Sequence, residues 1–205
     1  MNNNFKFGLF FTVVILLFSC SKDDNGNKIE IQKHDENRMM IKMHAMMDTM
    51  MTTPMPGDPD HHFAKMMQLH HRGAINMAEI ILSEGKDTTI KRLAHTMRQM
   101  QLQEISALQN FLSSHSSHAV NTAFNMTMEK SMEKMNRNAD LQIINGNLDH
   151  DFAALMIFHH QSAIEMADFI IHYGHEPFIK NMAEMMIADQ ELEIEELQQW
   201  LLSHK

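Results

Sequence analysis

The chain contains one segment twice, and this internal repeat constrains its fold more than any other feature. Residues 63–78, FAKMMQLHHRGAINMA, recur 89 positions later as residues 152–167, FAALMIFHHQSAIEMA, with no gap. About 25 of the 56 positions between Asp60 and His115 are identical in the second copy. Two copies without a third indicate a duplicated helical unit, because a solenoid stacks several repeats to build its core.

Apolar residues recur at helical spacing along both copies, and the alternation typical of strands is absent from the sequence. Copy one predicts helices over residues 39–52, 60–84 and 88–114, with Asp60 as an N-cap and Gly85 as a C-terminal stop. Copy two predicts helices near residues 127–138, 149–173 and 177–203. Two hairpins with one apolar face each predict an all-α four-helix bundle, with the short Met-rich helices at its end or flank.

The N-terminal region predicts a secreted, lipid-anchored protein. Residues 7–18 form an apolar run that is too short to span a membrane comfortably, and a small residue precedes Cys20. We therefore predict a signal peptide over residues 1–19, lipidation of Cys20, a disordered tether over 20–38, and a folded domain over 39–205 with repeats 39–115 and 128–204. The alternative is an ordinary signal peptide with an incidental cysteine.

Charge and targeting signals limit the expected partners. Lys22-Asp23-Asp24 resembles the signal that exports some bacterial lipoproteins to the cell surface, so we expect an outer-membrane location, either surface-exposed or facing the periplasm. The chain has 17 basic and 26 acidic residues, and its net charge of −9 argues against nucleic acid. One cysteine cannot form an intramolecular disulfide. The expected partners are the membrane, through the lipid anchor, and a metal ion.

Methionine and histidine are the outliers in composition, with 23 and 15 residues. Methionine fills irregular cores, but leucine does so too and specifies packing better. Thioethers favour Cu(I), and they remain ligands in an oxidising compartment where thiols are lost. We therefore predict binding of Cu(I). The alternative is that methionine serves core packing.

The paired histidines are the predicted centre of metal binding. If each hairpin turns near its glycine, both pairs lie level with a glutamine and between layers of methionine. His70 and His159 lie on the central apolar stripe of their helices, and His71 and His160 flank it in the direction of the facing hairpin. The predicted ligands are His70, His71, His159, His160, Met67, Met156, Met77, Met166, Met97 and Met186. The predicted acceptors for the imidazole N–H groups are Gln101, Glu104, Gln190 and Glu193. The alternative is a set of buried histidine hydrogen bonds that only orients the hairpins.

The Met-rich helix before copy one is a separate candidate. Met43 and Met47 share one face with His44 and Met51 through spacings of about one helical turn. We predict an accessory Cu(I) capture site here, on methionines exposed to solvent. The alternative is an apolar packing face.

Both copies also carry a family pattern, Asp-His-x-Phe-Ala-x-x-Met-x-x-His-His-x-x-Ala-Ile-x-Met-Ala, then Gly, then Gln-x-x-Glu-Ile. With the terminal Trp200-Leu201 the pattern resembles the DUF305 family of secreted bacterial proteins. It is most complete over residues 149–201, since copy one has Phe111 in the tryptophan position. The resemblance implies a ferritin-like bundle of two repeats, and it implies copper or silver binding because some Met-rich members bind these metals in the envelope.

The expected function is therefore metal binding for tolerance or handling, and not enzymatic catalysis. A ferritin-like di-iron oxidase would need Glu-x-x-His pairs, and the sequence has none. A third alternative is a helical interaction module, or a sink for oxidants that converts methionine to its sulfoxide.

Overall fold

The structure, a computed structural model, describes residues 31–204, and the six predicted α-helices are all present in that range, preceded by a 3-10 turn at His34–Glu36. The helices are α1 Arg38–Thr52, α2 Pro59–Glu84, α3 Thr88–Ser114, α4 Thr122–Asp140, α5 Leu148–Tyr173 and α6 Pro177–Ser203. The predicted all-α class is confirmed. No helix within residues 31–204 is long and apolar enough to cross a bilayer. The predicted signal peptide and Cys20 lie outside the described residues.

Two predicted helix starts are wrong, and the reason is local capping. Asp58, not Asp60, caps α2, because its side chain accepts the N–H of Asp60 while Pro59 takes the first helical position. The fourth helix begins at Thr122 rather than near residue 127, because the side chain of Asn121 accepts the N–H of Phe124. In both cases the capping residue lies outside the apolar pattern that was used to place the helix.

Asp60 and Asp149 instead join the two hairpins to each other, and we call each of these two contacts a brace. The Asp60 carboxylate accepts the backbone N–H groups of His175 and Glu176, at 2.9 and 3.2 Å. The Asp149 carboxylate accepts those of Lys86 and Asp87, at 2.9 and 3.1 Å. The start of α2 is thus tied to the turn after α5, and the start of α5 to the turn after α2. The two helices therefore run antiparallel.

The glycines that end α2 and α5 leave room for these carboxylates and for a carbonyl oxygen of their own helix, that of Ile81 or Ile170, and their backbones are not left-handed. The predicted helix stop at Gly85 is confirmed, and Gly174 ends α5 in the same way, with φ of −58° and −71° and so without a left-handed backbone. A Cβ at Gly174 would lie 2.8 Å from Oδ1 of Asp60, and one at Gly85 the same distance from Oδ1 of Asp149. Glycine leaves room for the carboxylate.

Helices α2 and α5 form the centre of the molecule. Helix α3 packs on α2 and α6 packs on α5, which gives the two hairpins, and α2 packs directly against α5. Helices α1 and α4 cover the remaining side, α1 mainly on α2 and α4 on α5. The Met-rich helices therefore lie on the flank of the bundle.

Helix α1 approaches α2 closely at a glycine. A Cβ built on Gly73 would lie 2.2 Å from Sδ and 2.9 Å from Cβ of Met46. The equivalent residue on α5 is Ser162, so this close approach exists in copy one only.

The end of the predicted tether is part of the fold. The Gln32 N–H donates to the Ile144 carbonyl oxygen at 2.9 Å, and Asn37 caps α1 while its amide donates to Asp151 at 2.6 Å. The boundary predicted at residue 39 is therefore too late, since residues 32–37 pack on the loop before α5. Polar composition alone could not show this, because the stabilising partners lie more than 100 residues away.

Candidate metal centre

His70 and His159 meet at the middle of α2 and α5. Their ring centroids are 3.7 Å apart with an interplanar angle of 34°, and both side chains are fully buried. These residues were predicted to lie on the central stripe of each helix. The antiparallel packing of α2 on α5 brings the two residues, which occupy equivalent positions in the two copies, into contact. Each lies next to its neighbour in sequence, with ring centroids 6.3 Å apart for His70 and His71 and 5.8 Å for His159 and His160.

The hydrogen bonds of His70 and His159 fix where each ring carries its proton. The Ser162 hydroxyl donates to the His159 carbonyl oxygen, so its oxygen is free to accept from His70 Nε2 at 2.8 Å. His159 Nε2 lies 3.0 Å from the His70 carbonyl oxygen, which can only accept. We therefore assign the proton to Nε2 in both rings, which leaves Nδ1 as a bare lone pair.

His71 and His160 turn toward their own hairpins. His71 Nε2 lies 2.9 Å from Oε2 of Glu104, and His160 Nε2 lies 3.0 Å from Oε2 of Glu193. The contacts have ion-pair distance, although the ring N–H is not aligned well enough for a hydrogen bond. The suggestion that these rings reach the facing hairpin is wrong, because a rotation of about 100° per residue points them at α3 and α6. A carboxylate at this distance again favours the proton on Nε2.

All four rings therefore share one arrangement. Their Nδ1 atoms are buried and have no hydrogen-bond partner among the described residues. A buried acceptor without a partner costs about 1–3 kcal/mol, so four of them in one layer call for a compensating interaction. Neutral imidazole with an outward-facing N–H engaged by an acceptor is the usual state of a metal-binding histidine. The layer thus holds four nitrogen lone pairs of a kind that binds soft cations, and more than two of them could bind one ion only after side chains turn, because no three lie within 4.8 Å of one another.

Burial keeps the central pair neutral. Desolvation is the main reason that the pKa values of His70 and His159 lie well below the ordinary value of 6.5. The charges of neighbouring histidines lower both further, while the bond from His159 to the His70 carbonyl acts in the opposite direction for His159. Both rings are therefore unprotonated at Nδ1 at neutral pH.

The two glutamines do not act as predicted. Both amide atoms of Gln101 and the Oε1 of Gln190 are buried without a partner. Glutamate one turn further along each helix takes the acceptor role for His71 and His160, and a serine and a backbone carbonyl take it for the central pair. Ser162 was missed by the sequence analysis. The available signal was its departure from the repeat, since copy one has Gly73 there.

The bundle methionines that were predicted as ligands are all buried in the core. Met67 and Met156 lie one helical turn before His71 and His160, and both are fully buried. The other four predicted ligands are also buried, with exposures of 0 or 1 %: Met77, Met166, Met97 and Met186. Their sulfurs belong to the same apolar core as the histidines, where a thioether is a soft ligand free of competition from water.

The exposed capture site predicted on α1 is wrong for most of that helix. Met43 and Met47 are each 1 % exposed, and Met39, Met40, Met46 and Met50 are also buried. They form the apolar face by which α1 packs on the bundle. Only Met51 among the methionines of α1 is exposed, and it lies on the last turn.

In the described range, the group of three or more histidine, cysteine or acidic side chains with metal-ligand spacing lies elsewhere, since no three ligand atoms of the central histidines and their glutamates come within 4.8 Å of one another. Asp58, Asp60 and His175 bring three ligand atoms within 4.8 Å of one another. Both carboxylates already accept backbone N–H groups, as the cap of α2 and as the brace to the second hairpin. We assign this group a structural role.

The sequence profile of the family described as "Domain of unknown function (DUF305)" matches residues 60–201. This chain belongs to the DUF305 family. The matched region contains all four central histidines and both braces, whereas α1 and Cys20 precede it.

Two solved DUF305 structures show the same fold. The first, from Streptomyces coelicolor and named as a secreted protein, has a TM-score of 0.56 and 23 % identity, and covers 72 % of this chain and 92 % of its own. The second, a fragment from Deinococcus radiodurans, has a TM-score of 0.52 and 19 % identity, and covers 72 % and 98 %. Identities this low show the fold alone. No curated protein matches the chain.

Proposed function

We propose that this DUF305 chain binds Cu(I), and Ag(I) in the same place, through His70, His71, His159 and His160 with buried methionine sulfur nearby. The observation that carries the proposal is the set of four buried Nδ1 lone pairs whose rings are each oriented through Nε2. Imidazole and thioether are ligands that suit Cu(I), and the layer contains no thiolate. The protein would bind the metal for tolerance or handling, without catalysis.

The histidine residues are suited to the ion in their protonation state as well. Ligation requires neutral imidazole, and burial already keeps the central pair neutral. Metal binding would therefore release few protons from the central pair at pH 7. Affinity should decrease only as pH falls toward the lowered pKa values of this pair, where protons begin to compete for the nitrogens.

The deciding experiment is an anaerobic Cu(I) titration against a competing chromophoric chelator. The variant His70→Ala/His159→Ala should bind Cu(I) at least tenfold more weakly while its helical circular dichroism persists. The matched control is His115→Ala/His204→Ala, an exposed pair that the same repeat relates, and it should bind like the parent. If the first variant binds normally but melts much earlier, the histidines are structural and the proposal fails.

We also propose an extracytoplasmic location with a lipid anchor on Cys20. The secreted relative from Streptomyces coelicolor supports a location outside the cytoplasm, and the lipobox-like sequence supports the anchor. Cys20→Ala should move the protein out of the membrane fraction without unfolding the bundle. Replacing Lys22, Asp23 and Asp24 by alanine should keep it anchored but shield it from protease added to intact cells, if the protein is surface-exposed. Unchanged fractionation of Cys20→Ala would contradict the anchor.

A further inference from the structure

Helices α3 and α6 lie side by side but meet mainly at their ends. Phe111 packs on Phe178 with ring centroids 6.1 Å apart, and Arg92 pairs with Glu196 at 2.8 Å. Between these two contacts the helices lack the close backbone packing that joins each of them to its own hairpin partner. We call the middle of this boundary the α3–α6 seam, and define it by Met100 and Glu104 on α3 and by Asp189 and Glu193 on α6.

The seam combines three carboxylates with one thioether. The end contacts set an antiparallel register that places Met100 level with Asp189, and the repeat makes these two positions equivalent. Glu104 and Glu193 follow one turn later on the same faces. Burial raises the pKa of Asp189, and the charges of Glu104 and Glu193 raise it further, so the three carboxylates lie close enough to interact. The seam is a site of negative potential.

The seam leads directly to the histidine layer. Glu104 and Glu193 are 18 % and 13 % exposed, whereas the His71 and His160 side chains beneath them are fully buried. Their Nε2 atoms point to these carboxylates at 2.9 and 3.0 Å without an aligned hydrogen bond, and their Nδ1 atoms have no partner. One side chain on each helix therefore separates solvent from a buried, unpartnered imidazole.

The other sides of the layer are less suited to a cation. Buried methionines of α1 and α4 close one side. A groove of about 290 Å³ between α1 and α2 carries the positive charge of Arg72, and Met46 fills its floor at Gly73. A groove of about 480 Å³ between α4 and α5 reaches Ser162, but its Glu165 is already paired with Lys134 at 2.9 Å.

We propose that the α3–α6 seam is the port through which Cu(I) enters and leaves the histidine layer. This inference rests on the proposed function. The carboxylates raise the local concentration of cations, and the half-buried Met100 offers the first soft ligand. Rotation of Glu104 or Glu193 away from its histidine then exposes the imidazole ring and frees it to turn, so that Nδ1 can face the incoming ion.

The test uses a single cysteine as an attachment point for a steric block. In the full-length chain with Cys20→Ser, held in detergent, Met100→Cys is capped with a bulky maleimide. The controls are capped Arg72→Cys in the α1–α2 groove and capped Gln161→Cys in the α4–α5 groove, two exposed positions related by the repeat. The readouts are equilibrium Cu(I) affinity and the rate of Cu(I) transfer to excess chromophoric chelator, by stopped-flow absorbance.

A block at the port slows both directions equally. Capped Met100→Cys should release Cu(I) at least tenfold more slowly with affinity within twofold of the parent, and both controls should release it at the parent rate. Release at the parent rate from capped Met100→Cys, or slowing by capped Gln161→Cys instead, overturns the port while leaving the binding site intact. A parent chain that binds no Cu(I) overturns the proposed function and the port together.

A second pair of variants tests charge without a block. Asp189→Asn should slow Cu(I) association and weaken its dependence on ionic strength, and Asp189→Lys, which reverses the charge at the same position, should slow it further. Equal association rates for both variants and the parent would contradict electrostatic capture at the seam.

Discussion

A histidine in a helical core is defined by what each of its two nitrogens meets. In this protein Nε2 of every central histidine faces an acceptor and Nδ1 faces none. The hydroxyl of Ser162 decides the state of His70, because the hydroxyl proton is already donated to a carbonyl. The sequence shows only that two histidines are adjacent, whereas the hydrogen bonds of each ring decide which nitrogen has a lone pair for a metal.

The first residue-scale prediction concerns pH. The pKa values of His70 and His159 are lowered in the folded state, so below pH 6.5 the unfolded metal-free chain binds protons that the folded chain does not. Their contribution to stability is complete above pH 6.5. As pH falls toward the lowered pKa values, the free energy of unfolding should decrease by up to about 1.4 kcal/mol per pH unit for each histidine.

Urea denaturation at pH 7.5, 6.5 and 5.5 measures this dependence. The variant His70→Gln/His159→Gln retains the other titrating groups, so the difference between the two profiles isolates the pair. Parallel profiles would show that these histidines accept protons while folded.

The second residue-scale prediction concerns Gln101, whose amide is buried with neither atom bonded. Gln101→Leu replaces it with an apolar group of similar size, and the metal-free protein should gain about 1 kcal/mol in free energy of unfolding. The matched control is Gln103→Leu, on the exposed face of the same helix. Denaturant titration measures both, and a loss of stability in Gln101→Leu would mean that the amide is satisfied in solution.

At the scale of the element, helices end and approach each other where small residues allow it. Gly85 and Gly174 are needed because a carbonyl oxygen of their own helix and a carboxylate from the other hairpin both lie within 2.8 Å of the position of a Cβ. Gly73 is needed because Met46 of α1 lies directly on it. Glycine thus makes room for a brace at two positions and for the packing of another helix at a third, and only the neighbouring side chains distinguish these roles.

We predict that Gly73→Ala displaces α1. The added Cβ overlaps both the sulfur and the Cβ of Met46, so a rotamer change of the sulfur alone is not sufficient. The expected loss is about 1–3 kcal/mol in free energy of unfolding. Met46→Ala in the same chain should recover part of it, which a double-mutant cycle by denaturation measures. Additive losses would mean that α1 does not pack in this register.

At the scale of the whole molecule, the duplication produces two braces and one shared centre. Each hairpin contributes an aspartate that binds the turn of the other, and both contribute histidines to one layer. Neither hairpin alone contains a complete brace or the complete histidine layer, so each hairpin depends on the other for its stability.

Asp60→Ala should destabilise the whole bundle by about 2–3 kcal/mol, because two backbone N–H groups lose a charged acceptor. Hydrogen exchange should accelerate at His175 and Glu176 and in the first turn of α6. Asp48→Ala, at an exposed position of α1, is the control and should change stability by less than about 0.5 kcal/mol. Exchange protection that persists at residues 175 and 176 would contradict the brace.

Much of the fold followed from local patterns. Helical periodicity and the repeat predicted six helices and two hairpins. The predicted bounds of α3, residues 88–114, agree with the structure because Asp87, the polar residue just before the apolar pattern, is also the N-cap of the helix. The stripe positions of His70 and His159 also followed, since apolar spacing alone defines the inner face of a helix.

The sequence by itself determined which segments are helical, that the unit is duplicated, and that the histidine pairs lie on the core stripe. Only the tertiary structure decided that His71 turns to Glu104, that Asp60 braces the other hairpin, that Met43 and Met47 are buried, and that a seam of carboxylates lies over the layer. The physical reason is that helix formation depends on neighbours within one or two turns. Contacts across helices depend on the rotation and register of each helix against its partners, and these are fixed only when the whole core packs.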